Sequence, residues 1–162
     1  MSLFSTISSI IPAFVAAFVA TVVGIFIGKR LERQSSINQT KETVRSYLKM
    51  FISKWKRLDD FSIAIAINSE DIFVKNIFNS SINDISDLGS NLKKLTNYVT
   101  YMPKQASDIT QMASEIEGLE DNSLRIWNAF IDKHRGLPED TYPILSYILI
   151  LVKNAEKLLK EL

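Results

Sequence analysis

Cysteine is absent from the 162 residues, and histidine occurs once, as His134. Disulfide frameworks, zinc–cysteine sites, thiol nucleophiles and every motif that needs two histidines are thereby excluded. Only five glycines are present, and none forms a Gly-rich phosphate loop of the Walker or dinucleotide type. An excess of one charge is lacking too. Nineteen Lys and Arg stand against 18 Asp and Glu, a net +1, without the global imbalance of a protein that coats nucleic acid. The carboxylates Asp84 and Asp87, and Glu115, Glu117 and Glu120, lack the Glu-x-x-His spacing of helical di-iron sites and read as solvated faces. No catalytic residue, cofactor, metal or duplex nucleic acid is expected. What remains is a binding protein of about one domain with at most one appendage.

The appendage is at the start. Met1 to Gly28 carries no charged residue, and Ile7 to Ile27 is a run of 21 residues, about 31 Å as a helix at ~1.5 Å per residue. That length matches the ~30 Å hydrocarbon core of a bilayer. Basic residues follow the run, at Lys29, Arg30 and Arg33, whereas a secretory signal has them in front. The positive-inside rule then predicts a single-pass anchor in the cytoplasmic membrane, with the N-terminus outside and the rest in the cytoplasm. Residues 1–34 are read as the anchor with its basic flank, and 35–162 as a cytosolic domain.

Within the run, Ala16, Ala20, Gly24 and Gly28 recur every four residues, and Ser5, Ser9, Ala13, Ala17 and Thr21 form a second ladder beside them. Phe14, Phe18, Val22 and Phe26 lie on the far side, about 200° away at ~100° per residue. Lipid supplies no hydrophobic drive between helices, so small residues that let backbones approach are a main source of association. Ala13, Ala16, Ala17, Ala20, Gly24 and Gly28 are therefore predicted to form a self-association seam.

Beyond residue 35 the apolar spacing is three and four, which predicts an all-α bundle of about five helices. The first spans about 36–67, with Ile37, Val44, Phe51 and Leu58 at heptad steps and Leu48 and Trp55 beside them. It reads as a stalk leaving the membrane. Phe61 to Ile67 alternates as a strand would, but a lone strand has no partner, so it is taken as helix. Further helices are expected over about 70–101, with Gly89 as a bend, then 105–117, 122–134, and from Thr141 to the C-terminus with Pro143 in its first turn. The run Tyr142 to Val152 is too short to span a bilayer.

Charge is unevenly placed. Residues 29–57 carry nine basic and two acidic groups (+7), and residues 58–162 carry ten basic and sixteen acidic (−6). The basic part fits contact with anionic lipid. It also suggests a site for an anionic ligand, with Lys49, Lys54, Lys56 and Arg57 around the stacking face of Trp55. A second candidate cluster is Lys93, Lys94, Tyr98, Tyr101 and Lys104, where rings could stack on bases and ammonium groups meet phosphates. A third, Arg125, Trp127, Lys133, His134 and Arg135, ends a helix, where the dipole favours cations in any case.

An uncharged N-terminus, one self-associating membrane helix and a cytosolic helical domain free of catalytic motifs resemble, in layout, the small membrane-anchored type III CRISPR accessory effectors. That resemblance implies a homo-oligomer, such as a tetramer, that binds a cyclic oligonucleotide second messenger such as cyclic tetra-adenylate and perturbs or opens the membrane in antiviral defence. Two other readings of the same layout are a passive tether that docks a protein partner and a holin-like phage membrane protein.

Overall fold

The computed structural model describes residues 3–99, 102 and 104–162, with side-chain surroundings from residue 18 onward except at 97 and 98. Among the described residues every regular element is a helix: α1 (Leu3–Ile67), α2 (Ile72–Lys94), the single turn α3 (Thr96–Val99), α4 (Ala106–Glu117), α5 (Ser123–His134) and α6 (Pro143–Glu161), with a 3-10 turn at Glu139–Thr141. The all-α prediction holds, and the alternating stretch 61–67 is helical. The chain divides into two compact units, Met1–Gln39 and Thr40–Leu162.

In the first unit, every described side chain from Phe18 to Ser36 is exposed. Phe18, Val19, Val22, Val23, Ile25, Phe26 and Ile27 are among them. Among the described residues no helix is long and apolar enough to cross a membrane. The described part of the apolar run, residues 18–27, is ten residues or about 15 Å of helix; its first half lies outside the described side chains.

The second unit is a bundle packed around the later part of α1. Val44, Leu48, Phe51, Trp55, Leu58 and Ile65 of α1 are buried, as the heptad stripe predicts. The stripe does not face outward as a stalk, however, because it is covered by the other helices of the same chain. Phe78, Ile82, Ile85 and Leu92 of α2, Ile109 and Ile116 of α4, Phe130 of α5 and Ile148 and Leu151 of α6 complete the core, each such side chain stabilising the fold by roughly 1.5–3 kcal/mol. Trp55 stacks on Phe130 with ring centroids 5.9 Å apart, and Phe78 meets Trp127 edge-on at 5.0 Å.

Local chemistry accounts for the helix ends. The expected gap between the first two helices is present, and Asp71 caps α2, its carboxylate accepting from the Phe73 N–H at 2.7 Å. The second helix ends earlier than its apolar spacing suggests. Leu95 N–H bonds back to the Leu92 carbonyl at 3.0 Å, and Thr96 Oγ1 donates to the Lys93 carbonyl at 2.7 Å, which tightens the last turn and competes with helix propagation. Gly136, with φ of 75°, takes the left-handed conformation that closes α5. Pro143 is the first residue of α6, where its missing N–H has no helical acceptor to lose.

Gly89 lies within the unbroken helix α2, and α4 approaches it closely, since a Cβ there would lie 2.3 Å from the Glu117 nitrogen and 2.7 Å from the Ala113 carbonyl oxygen. Ser86 Oγ donates to the Glu117 carbonyl at 2.7 Å across the same contact.

Candidate functional site

Four consecutive helical residues cannot form one patch, because each is turned ~100° from the last. Lys54, Trp55, Lys56 and Arg57 diverge accordingly. Lys54 reaches α2, where its Nζ is 2.6 Å from the Asp84 carboxylate, and Lys56 lies 3.8 Å from Glu156 of α6. Trp55 turns into the core and is 7 % exposed. The expectation that Trp55 offers a stacking face is corrected: that face is taken by Phe130.

Two members of the run remain together. Lys54 and Arg57 share a groove of about 320 Å³ between α1 and α2 with Leu58, Phe61, Ile77, Ser81 and Asp84. Its components follow from helix geometry: Lys54, Arg57, Leu58 and Phe61 recur at steps of three, one and three on α1, and Ile77, Ser81 and Asp84 at steps of four and three on α2. Arg57 is exposed and, among the described residues, enters no ion pair or hydrogen bond. Phe61 is half-buried and supplies an aromatic wall. Asp84 is held by Lys54, and Ser81 Oγ donates to the Ile77 carbonyl at 2.8 Å, leaving its oxygen able to accept. The groove thus offers a free guanidinium, an aromatic ring and a carboxylate acceptor within one cleft. It can hold an anion bearing a planar ring with hydrogen-bond donors.

The second cluster is largely occupied by structural work. Lys93 Nζ is 2.6 Å from Glu117, and Ser90 Oγ donates to the same carboxylate at 3.0 Å. These two hydrogen bonds, that of Lys93 first, hold the Glu117 carboxyl below the usual carboxylate range against a smaller opposing effect of burial. Glu117, taken from sequence as part of a solvated face, is therefore a bridge between α4 and α2. Lys94 donates to Asn91 at 3.2 Å, and Lys104 is exposed. The Tyr98 side chain and Tyr101 lie outside the described residues.

The third cluster is scattered as well. Trp127 is in the core, Arg125 donates to Asn122 at 3.2 Å, and Lys133 pairs with Asp59 at 2.9 Å. His134 does have a partner that its neighbours in sequence do not reveal: its Nε2 is 2.8 Å from Ser62 Oγ, 72 residues away. Ser62 is 1 % exposed and sits near the C-terminal end of α1, so the pair satisfies a buried hydroxyl rather than presenting a nucleophile. Tyr147 is pushed up from the ordinary phenol range by partial burial, with the Glu115 carboxylate adding to the effect.

In the first unit, Ala20, Gly24 and Gly28 are exposed, and a Cβ on either glycine would meet nothing within 4 Å in the single chain. The other seam positions, Ala13, Ala16 and Ala17, lie outside the described side chains. No group of three or more metal-binding side chains occurs among the described residues. No protein-family model, no curated protein and no solved structure matches the chain, so its own geometry carries the functional reading.

Proposed function

We propose that the chain is a membrane-anchored, self-associating effector whose C-terminal bundle senses an anionic, ring-bearing ligand and perturbs the bilayer in response. A cyclic oligonucleotide such as cyclic tetra-adenylate is the ligand class that the layout suggests, and antiviral defence the setting. One observation carries the membrane part. From Phe18 to Ile27 an apolar helix exposes every side chain, with Phe18 64 % and Phe26 72 % exposed, and the cations Lys29, Arg30 and Arg33 follow directly. Water does not tolerate such a surface unless lipid or another copy covers it.

The α1–α2 groove supports the sensing part, with Arg57 taking a phosphate, Phe61 stacking on a base and Asp84 accepting from an exocyclic amine. One helix, α1, supplies residues to both the apolar segment and the groove. A ligand that binds one arrangement of α1 and α2 more tightly than another shifts the population of α1 conformers by that difference in affinity. In this scheme Lys54 and Arg57 are the ligand-binding members of the basic run, and Ala20, Gly24 and Gly28 belong to the association seam.

The test is a thermal-shift screen of the full chain in detergent against linear and cyclic adenine nucleotides. Ligand at about a hundred times its Kd stabilises by roughly 2.7 kcal/mol. A selective shift by one nucleotide, lost in Arg57→Ala, supports the reading; a flat panel from a folded chain overturns it. A second reading, a tether that docks a protein partner, is favoured by the exposed Ile67, Ile72 and Phe73 at the α1–α2 turn, which are 75, 76 and 68 % exposed.

A further inference from the structure

Among the described residues, the α1–α2 turn carries apolar side chains that the bundle leaves exposed. Asn68 to Asp71 make a tight connection, in which Asn68 N–H bonds to the Ala64 carbonyl at 3.0 Å and Asp71 N–H to the Asn68 carbonyl at 2.9 Å. This turn brings the last residue of α1, Ile67, next to the first two of α2, Ile72 and Phe73. Ile63 precedes Ile67 by four residues, on the same face of α1, and is 56 % exposed. The end of α5 lies against the last turns of α1, because Lys133 pairs with Asp59 and His134 with Ser62. Leu137, 42 % exposed, follows directly.

An end of this kind is unlike the scattered apolar residues of an ordinary surface. Ile63, Ile67, Ile72 and Phe73 fall within one short stretch of chain on either side of the α1–α2 turn, and all four are more than half exposed. Nothing in folding alone requires Ile72 and Phe73 at these positions, since the Asp71 cap works with polar residues after it. Clustered exposure of this type marks an interaction surface.

The charge around it says what kind of partner fits. Residues 59–75 and 132–140, which build this end, hold seven carboxylates against three Lys and Arg, a net −4. Asp60, Glu70, Asp71, Glu139 and Asp140 are exposed, and the cations among them are Lys75, Arg135 and Lys133, the last already paired with Asp59. An anionic rim repels the surface of an acidic membrane and repels a second copy of the same rim. It attracts a cationic surface that also carries apolar side chains.

We infer that this end of the bundle, with Ile67, Ile72 and Phe73 at its centre, docks a cationic amphipathic helix of a partner protein. The partner's apolar stripe covers the isoleucines and the ring, and its Lys and Arg residues meet Glu70, Asp60 and their neighbours at the rim. This docking rests on the second reading above, that of a bundle which docks a protein partner, and does not involve the α1–α2 groove.

The probe is a fluorescent 18-residue peptide of leucine and lysine at helical spacing, titrated with the full chain in a zwitterionic detergent. Protein-free micelles serve as the blank, and a leucine and glutamate peptide of the same pattern as the control. The account predicts saturable binding of one lysine peptide per chain. Phe73→Ser and Ile67→Ser should each weaken it at least about tenfold, and Glu70→Lys should weaken it while reducing its salt dependence. Both apolar positions are exposed, so circular dichroism should show all three variants folded. Equal binding of the glutamate peptide, binding unchanged by Phe73→Ser, or saturation of the surface by a second copy in cross-linking from Phe73→Cys would each overturn the inference.

Discussion

Gly89 stands so near Glu117 that a methyl group on the glycine would lie 2.3 Å from the glutamate's backbone nitrogen. Gly→Ala within a helix ordinarily stabilises by up to about 1 kcal/mol. Here the sign should reverse. The obstructing atoms are backbone of α4 and cannot rotate away, so Gly89→Ala must push α2 and α4 apart, at an overpacking cost of about 1–3 kcal/mol or more. Thermal unfolding of the full chain should show a lowered Tm; an unchanged or raised Tm would refute the close approach.

Acid should weaken the same contact. The carboxylate of Glu117 has its pKa lowered by Lys93 and Ser90, so its contribution is present above the unfolded value and is lost as pH falls through the folded one. The gap in Tm between the native chain and Glu117→Gln should therefore be largest near neutral pH and shrink on acidification below the ordinary carboxylate range. Melting curves of both proteins across pH 3 to 7, a span set by that range, check this. A gap that widens in acid contradicts it.

Trp55 and Arg57 are two residues apart and should behave oppositely. Trp55 is buried against Phe130, so Trp55→Ala should cost about 3–5 kcal/mol of stability. Arg57→Ala, at an exposed and unpaired position, should stay within about 0.5 kcal/mol yet lose the nucleotide-induced thermal shift. Parallel melts with and without the stabilising nucleotide separate the two roles.

The seam is tested by bulk. Gly24→Leu should abolish self-association, measured as cross-linked oligomer in native membranes, while leaving the melting of the bundle unchanged. Space for the leucine exists within one chain, where a Cβ at Gly24 meets nothing within 4 Å. Oligomer that survives the substitution would remove the small-residue face from the account.

Much of the bundle was legible from periodicity alone. The heptad of Ile37, Val44, Phe51 and Leu58 marks an apolar stripe, of which Val44, Phe51 and Leu58 are buried and Ile37 is half-buried, and Pro143 marks where α6 begins. What periodicity could not supply was the identity of the covering helix. A stripe looks the same whether it meets another copy or α2 and α5 of its own chain, which is why Trp55 was expected at a ligand and lies against Phe130. Gly89 carried the signal of a weak helix position, and only the facing backbone of α4 turns that into a close contact. The Ser62 and His134 pair spans 72 residues and has no local signature. Phe61, the aromatic wall of the groove, lies in an alternating run whose spacing does not by itself distinguish helix from strand. Lys54 and Arg57 were legible as basic residues three apart, although their neighbours Trp55 and Lys56 had to be subtracted by geometry.

In the proposed mechanism, ligand binding at the bundle changes the membrane. Dye release from sealed vesicles carrying the full chain, measured before and after adding the nucleotide that stabilises it, tests this most directly. The account predicts retention without nucleotide, release with it, and no release with Gly24→Leu or Arg57→Ala. Release without any nucleotide, or vesicles that stay sealed while the nucleotide is bound, would contradict it.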